Sequence, residues 1–162
     1  MKMQKSLISK VFTWIAFLLV IFILLFLFLM KDKMNNYISS EIKSQSGTEL
    51  QLTAITLVDS LFNYQANGQA YELTFLEFGA KGCVTCRKME TVMEEVKNDY
   101  PQTIQVVFLN ILQMENQTMM KYYGVVAIPT QVLLDKNGEE FFRHTGYISY
   151  SDLKQHFNFP SE

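Results

Sequence analysis

The sequence predicts an α/β domain, a sheet flanked by helices, carried behind one N-terminal membrane-spanning helix. Three observations predict it. Residues 11–30 (VFTWIAFLLVIFILLFLFLM) carry no charge. Behind them, apolar runs of strand length alternate with segments of helical period, the pattern of packed sheet and helix layers. The only two cysteines of the 162-residue chain stand at C-x-x-C spacing, as Cys83-Val84-Thr85-Cys86, where a strand-like run gives way to a helix-like one.

The uncharged run comes first. Twenty residues of helix span roughly 30 Å, the thickness of a bilayer's hydrocarbon core. A cleaved signal peptide has a shorter apolar region, about 7–15 residues, and then a small-x-small site. Leu27-Phe28-Leu29-Met30-Lys31 offers no small residue. The expectation is therefore a retained anchor over 11–30, behind a short tail (1–10). Lys2, Lys5 and Lys10 precede it and Lys31, Lys33 and Lys43 follow. The positive-inside rule is thus nearly tied. A short tail ahead of a first anchor favours an N-terminus inside and a domain outside. Three of the 14 Lys+Arg precede residue 31 and all 16 Asp+Glu follow it, leaving a net charge of −5 beyond the anchor. An acidic domain without a basic stripe is not built for nucleic acid.

Residues 31–50 are polar, with a Gln-Ser-Gly-Thr break, and read as a tether. The domain then occupies 51–162. Residues 52–64 fit helical period at Leu57, Leu61 and Tyr64 and alternation at Ile55 and Leu57, so helix and strand both remain open there. Residues 71–79 read as a strand too apolar to have one wet face, hence central. Residues 84–100 read as a helix, with Met89, Val92, Met93 and Val96 on one stripe and Pro101 ending it. A second buried strand covers 104–109. A short helix over 117–123 is stopped by Gly124. Strands 130–135 and 139–145 flank the hairpin signal Asn137-Gly138. Ser151 is expected to cap a last helix over 152–157. The methionines at 89, 93, 114, 119 and 120 read as core filler, and His144 and His156 as surface residues.

The cysteine pair has three chemical readings. As a redox dithiol, Cys83 at the head of the helix gains from unpaired backbone N–H groups and the helix dipole, which favour a thiolate, with Lys81 and Arg87 nearby. Cys86, one turn further in, would then resolve the mixed disulfide. As an inert staple, a four-residue loop adds little stability. As half a zinc site, it would need further ligands, and only His144 and His156 remain. Glu77 lies six residues before Cys83, inside the apolar strand. It is either a buried carboxyl of raised pKa or a strand-edge charge paired with Lys81.

Four features together resemble the thioredoxin fold over about residues 70–157: the C-x-x-C between a central strand and a helix, Ile128-Pro129-Thr130 about 43 residues later, the Asn137-Gly138 hairpin, and Gly146 eight residues beyond Gly138. The resemblance implies a central mixed sheet flanked by helices. It implies a cis bond before Pro129 and a substrate-binding edge at Ile128, Pro129 and Gly146. It also implies that Glu77 relays a proton to Cys86, in place of the family's buried aspartate. No cofactor or metal is implied. The sequence departs from the family at several places. Gly82 and Gly79 stand where aromatic residues are usual, Thr91 where many members have a proline, and Phe108 where a lysine lies near the buried acid. The pair between the cysteines is Val-Thr.

With the anchor, the chain resembles membrane-tethered thioredoxin-like proteins of bacterial envelopes. The resemblance implies a single-pass thiol–disulfide oxidoreductase of the bacterial inner membrane, with its domain on the extracytoplasmic side. Ile128 and the absence of histidine between the cysteines favour reductase over oxidase. Its partners would be protein thiols and disulfides, for example apocytochrome c, and a membrane electron donor. The competing readings are a thioredoxin-like binding module or holdase without redox turnover, and a cytosol-facing tethered reductant.

Overall fold

The computed structural model describes residues 2–45, 47–157 and 159. Ser46 in the expected break and residues 160–162 lie outside the described residues. The chain divides into two compact units, Met1–Asn36 and Tyr37–Glu162.

The first helix, α1, runs Lys2–Gln45. From Trp14 to Leu29 every described side chain is exposed, so apolar surface covers the helix all round. Among the described residues no single helix is long and apolar enough to cross a membrane; Trp14–Met30 with Lys33–Ile42, taken as a bent pair, reaches that length and composition.

Within the second unit, α1 continues to Gln45. Ser39 there is only 5% exposed. Arg143, ion-paired with Glu140 at 2.7 Å, also donates to the Ser39 hydroxyl at 3.4 Å. Gly124 (φ +59°) lies so close to the Ser39 carbonyl that no side chain fits between them.

The segment left open between helix and strand is a helix, α2, Thr48–Phe62. It buries Ala54, Val58 and Phe62, four residues apart, which is one helical stripe. A one-turn helix α3 (Tyr64–Asn67) ends on Gly68 in the left-handed conformation. Strand β1 (Leu73–Gly79) is buried along its whole length. Helix α4 (Val84–Asp99) and strand β2 (Ile104–Asn110) follow. A 3-10 turn (Met114–Asn116), which the sequence reading did not anticipate, leads into α5 (Gln117–Tyr122). Then come β3 (Thr130–Asp135) and β4 (Glu140–Thr145).

The last helix, α6, is Tyr150–Lys154, capped by Ser149 rather than Ser151. The reason is local. The Ser149 hydroxyl oxygen accepts from the Asp152 N–H at 3.2 Å. It also donates to the Asp152 carboxylate, three residues on, where a capping partner belongs. Met114 is also a correction: it is 85% exposed, not core filler.

The sheet order is β2-β1-β3-β4, with β1–β2 parallel and the other pairs antiparallel. Asp135 closes the hairpin by accepting from the N–H groups of Asn137 and Glu139, both at 2.9 Å, while Gly138 takes φ +79°. Alternation along β1 divides the core. Leu73 and Phe75, with Leu133 of β3, pack under Met89, Val92, Met93 and Val96 of α4. Leu76 and Phe78, with Val132 and Leu134, pack under α2 and α5. Glu77 follows Phe75 by two residues and so points to the α4 face, as does Gln131, two residues before Leu133.

Candidate active site

Strand β1 ends at Gly79, and the turn Ala80-Lys81-Gly82 returns the chain to the head of α4. Gly82 takes φ +93°, and the Cys83 N–H donates to the Ala80 carbonyl at 3.2 Å. Cys83 is the N-cap of α4, and its Sγ accepts from the Cys86 N–H at 3.2 Å. A sulfur in this place takes the role that a serine or aspartate oxygen takes at other helix starts. The first turn of α4 has no acidic residue, and Lys81 and Arg87 are exposed beside it. Charge and dipole therefore both favour a negative sulfur at Cys83.

The two cysteines are joined as a disulfide, with Cα atoms 5.2 Å apart. Cys83 is half-buried, and Cys86 is only 3% exposed. Cys86 lies over Gly79: a Cβ built on that glycine would be 3.5 Å from the Cys86 Cβ and 2.8 Å from Cε2 of Phe108. Phe108, the departure from the family's lysine, is paired with Glu77 across β1–β2.

Glu77 is fully buried. It is not at a sheet edge, and its partner is not Lys81, which is exposed on the turn. Its Oε2 accepts from Gln131 Nε2 at 2.9 Å, and its Oε1 has no partner among the described residues. Burial pushes its carboxyl up to about 8, against a smaller opposing effect of the Gln131 hydrogen bond. Gln131 escaped the sequence reading. The available signal was a glutamine inside an otherwise apolar strand, TQVLLD, two residues past Pro129.

The Ile128–Pro129 bond is cis. Thr130 pairs with Phe78 on one side and Thr145 on the other, which brings Pro129 and Gly146 to the same end of the sheet as the cysteine turn. The Pro129 carbonyl accepts from the Gly146 N–H at 2.8 Å, and Gly146 takes φ +105°. Thr130 holds the approach to this edge, donating to the Ala127 carbonyl at 2.8 Å. Ile128 is half-buried. The two histidines do not join the cysteines. His144 pairs with Gln131 across β3–β4, and His156 stacks on Phe142, ring centroids 3.9 Å apart. Among the described residues no cluster of His, Cys, Asp and Glu could hold a metal ion.

Residues 59–159 match the family model described as a thioredoxin-like domain. The chain is 31% identical over 102 residues to a thioredoxin of Buchnera aphidicola, covering 62% of this chain and 90% of that protein. It is 35% identical over 65 residues to a thioredoxin of Methanocaldococcus jannaschii, covering 40% of this chain and 71% of that one. Among solved structures, thioredoxin O2 from Arabidopsis thaliana in its oxidized state is similar at 22% identity and a TM-score of 0.49, covering 62% of this chain and 81% of that one. A half-buried cysteine capping a helix, a buried partner one turn on, and a family match over most of the second unit lead to one conclusion: the chain belongs to the thioredoxin-like oxidoreductase family, with Cys83 and Cys86 as its C-x-x-C pair.

Proposed function

We propose that this chain is a membrane-anchored thiol–disulfide reductase of protein disulfides on the outer face of a bacterial inner membrane. One observation carries the redox reading: Cys83 is reachable at the head of α4, while Cys86 is buried behind it over β1. That asymmetry divides attack from resolution. The Cys83 thiolate attacks one sulfur of a client disulfide. A Cys83–client bond forms, the client S–S bond breaks, and the released sulfur leaves as a thiolate and takes up a proton. Cys86 then gives its proton to Glu77, and its thiolate attacks Cys83 Sγ. The second client sulfur leaves and is protonated, and the Cys83–Cys86 disulfide closes. Two electrons pass from the pair to the client, and a membrane dithiol donor restores them. A carboxyl titrating near 8 is matched to a free thiol near ~8.5, so the proton moves either way at little cost.

The client is a protein segment in extended conformation. The exposed apolar side chains of Val84, at the head of α4, and of Leu112, Val126 and Tyr147, on three loops, stand at the cysteine end of the sheet and suit such a segment. Ile128 before Pro129, and no histidine between the cysteines, support reduction over oxidation, with apocytochrome c cysteines as the example that family resemblance offers. The anchor rests on the apolar perimeter from Trp14 to Leu29, which an aqueous phase would leave uncovered.

The test is insulin-disulfide reduction by the wild type and by Cys83→Ser, with the equilibrium potential of the pair against glutathione. Turnover lost with Cys83 and a potential near −270 mV support a reductase. A potential near −120 mV makes it an oxidant. No turnover by the wild type makes it a binding module. Protease shaving of spheroplasts tests the orientation: cleavage of the domain is expected, and full protection places it in the cytosol.

A further inference from the structure

The buried polar groups of the sheet are mostly satisfied. Thr74 meets the Tyr64 hydroxyl, and Thr130 meets the Ala127 carbonyl and the Thr145 hydroxyl. Glu77 and Gln131 differ. Both are fully buried, they share one hydrogen bond, and each keeps one oxygen, Oε1, with no partner among the described residues. Native interiors rarely leave buried acceptors unpartnered, and a proton on the Glu77 carboxyl would turn its free oxygen into a donor.

We propose that Gln131 is the positioning residue of Glu77: by holding Oε2 it leaves Oε1 as the carboxyl oxygen that exchanges a proton with Cys86. The proposal rests on the dithiol reading above. A carboxylate is symmetric and can turn about its last bond. The donor at 2.9 Å removes that symmetry, because β3 is paired on both sides and Gln131 is fixed within it.

The chemistry of an amide suits the role. A lysine there would hold the carboxylate ionised, and a second carboxylate would compete for the proton. An amide orients the acid without carrying charge. The face is otherwise sparsely charged. Strand β2 presents Phe108, α4 presents Cys86 with Cys83 at its head, and β4 places His144 one strand beyond Gln131. Lys81, Arg87 and Lys88 are exposed to solvent. Cys86 lies over Gly79, which follows Glu77 by two residues on the same face of β1, so acid and thiol share that face.

The test uses the reduced full chain in detergent, mixed with dithiobis(nitrobenzoate) in a stopped-flow instrument. Two equivalents of the coloured thiolate leave in sequence, the first released by Cys83 and the second by Cys86. Gln131→Met keeps length and removes the donor along with the orphan oxygen, and Gln131→Leu repeats the test with a second apolar side chain. The expected result is an unchanged first phase and a second phase about tenfold slower at pH 7. The pH midpoint of that second phase should rise by about one unit. In a Glu77→Gln background neither substitution should slow the second phase further. An unmoved pH profile overturns the proposal, as does equal slowing without the Glu77 carboxyl. Absence of a second phase in the wild type removes the dithiol reading itself, and the proposal with it.

Discussion

The ring of Phe108 stands where a side chain at position 79 would go: a Cβ on Gly79 would lie 2.8 Å from its Cε2 and 3.3 Å from its Cζ. The two departures from the family pattern, glycine at 79 and phenylalanine at 108, are thus one arrangement. The aromatic cover beside Cys86 comes from β2 rather than from β1 itself. Gly79→Ala is expected to cost about 1–2 kcal/mol, at the low end for overpacking. The cost stays low because the Phe108 ring is 40% exposed and can swing outward. In Phe108→Ala the same substitution should be close to neutral. A double-mutant cycle on thermal or urea unfolding reads the coupling, and equal costs in both backgrounds would show that the ring is not the obstacle.

Glu77 predicts a pH dependence of stability. Its folded pKa, about 8, lies above its ordinary value of 4.5, because burial disfavours the charge. The unfolded chain therefore gives up this proton more readily. The stability tied to the neutral acid is fully present below about pH 4.5 and is lost progressively as pH rises towards 8. Each unit of the difference is worth about 1.4 kcal/mol, so the loss is on the order of several kcal/mol by pH 8. Glu77→Gln should flatten the curve and be the more stable protein above neutrality. Urea midpoints of the oxidised protein from pH 5 to 8.5 check this, and parallel curves for the two proteins would refute it.

Division of labour between the cysteines gives a third expectation. In the reduced protein Cys83 should alkylate quickly, with an apparent pKa below the ~8.5 of a free thiol, and Cys86 slowly. Cys86→Ser should accumulate clients as mixed disulfides, and Cys83→Ser should accumulate none. Mass spectrometry of the trapped species would also name the clients. Equal labelling of both thiols, or trapping by Cys83→Ser, would reverse the roles.

Gly124→Ala should destabilise the second unit by about 2 kcal/mol or more, as a side chain forced into a left-handed, crowded position does. Gly124 combines φ +59° with direct contact to the Ser39 carbonyl. Neither backbone nor neighbour therefore accommodates a methyl group. The readout is thermal unfolding together with limited proteolysis at residues 37–47, which should become more susceptible. Unchanged cleavage there would show that Ser39 does not depend on this contact.

Local chemistry explains what was legible in the sequence. A cysteine pair between a strand and a helix and an uncharged run of bilayer length are short-range patterns, whereas Pro129 and Gly146 were legible only through their spacing in a resembling family. The short-range patterns carried the α/β order and the candidate redox pair, and they are the ground for expecting attack at Cys83, because capping, dipole and strand burial act within one or two turns of chain. Residues 52–64 were not decided locally, since their apolar positions fit both periods. The buried stripe of Ala54, Val58 and Phe62 exists only because α5 and the sheet are there to cover it. The end helix was misplaced by two residues because Ser149 and Ser151 are both good caps, and Asp152 decided between them. The partner of Glu77 was invisible for a different reason. Gln131 lies 54 residues away, and only the antiparallel pairing of β1 with β3 puts a buried amide opposite a buried acid. Tertiary structure alone decided that contact, because hydrogen bonds between strands are set by register and not by nearness in the chain.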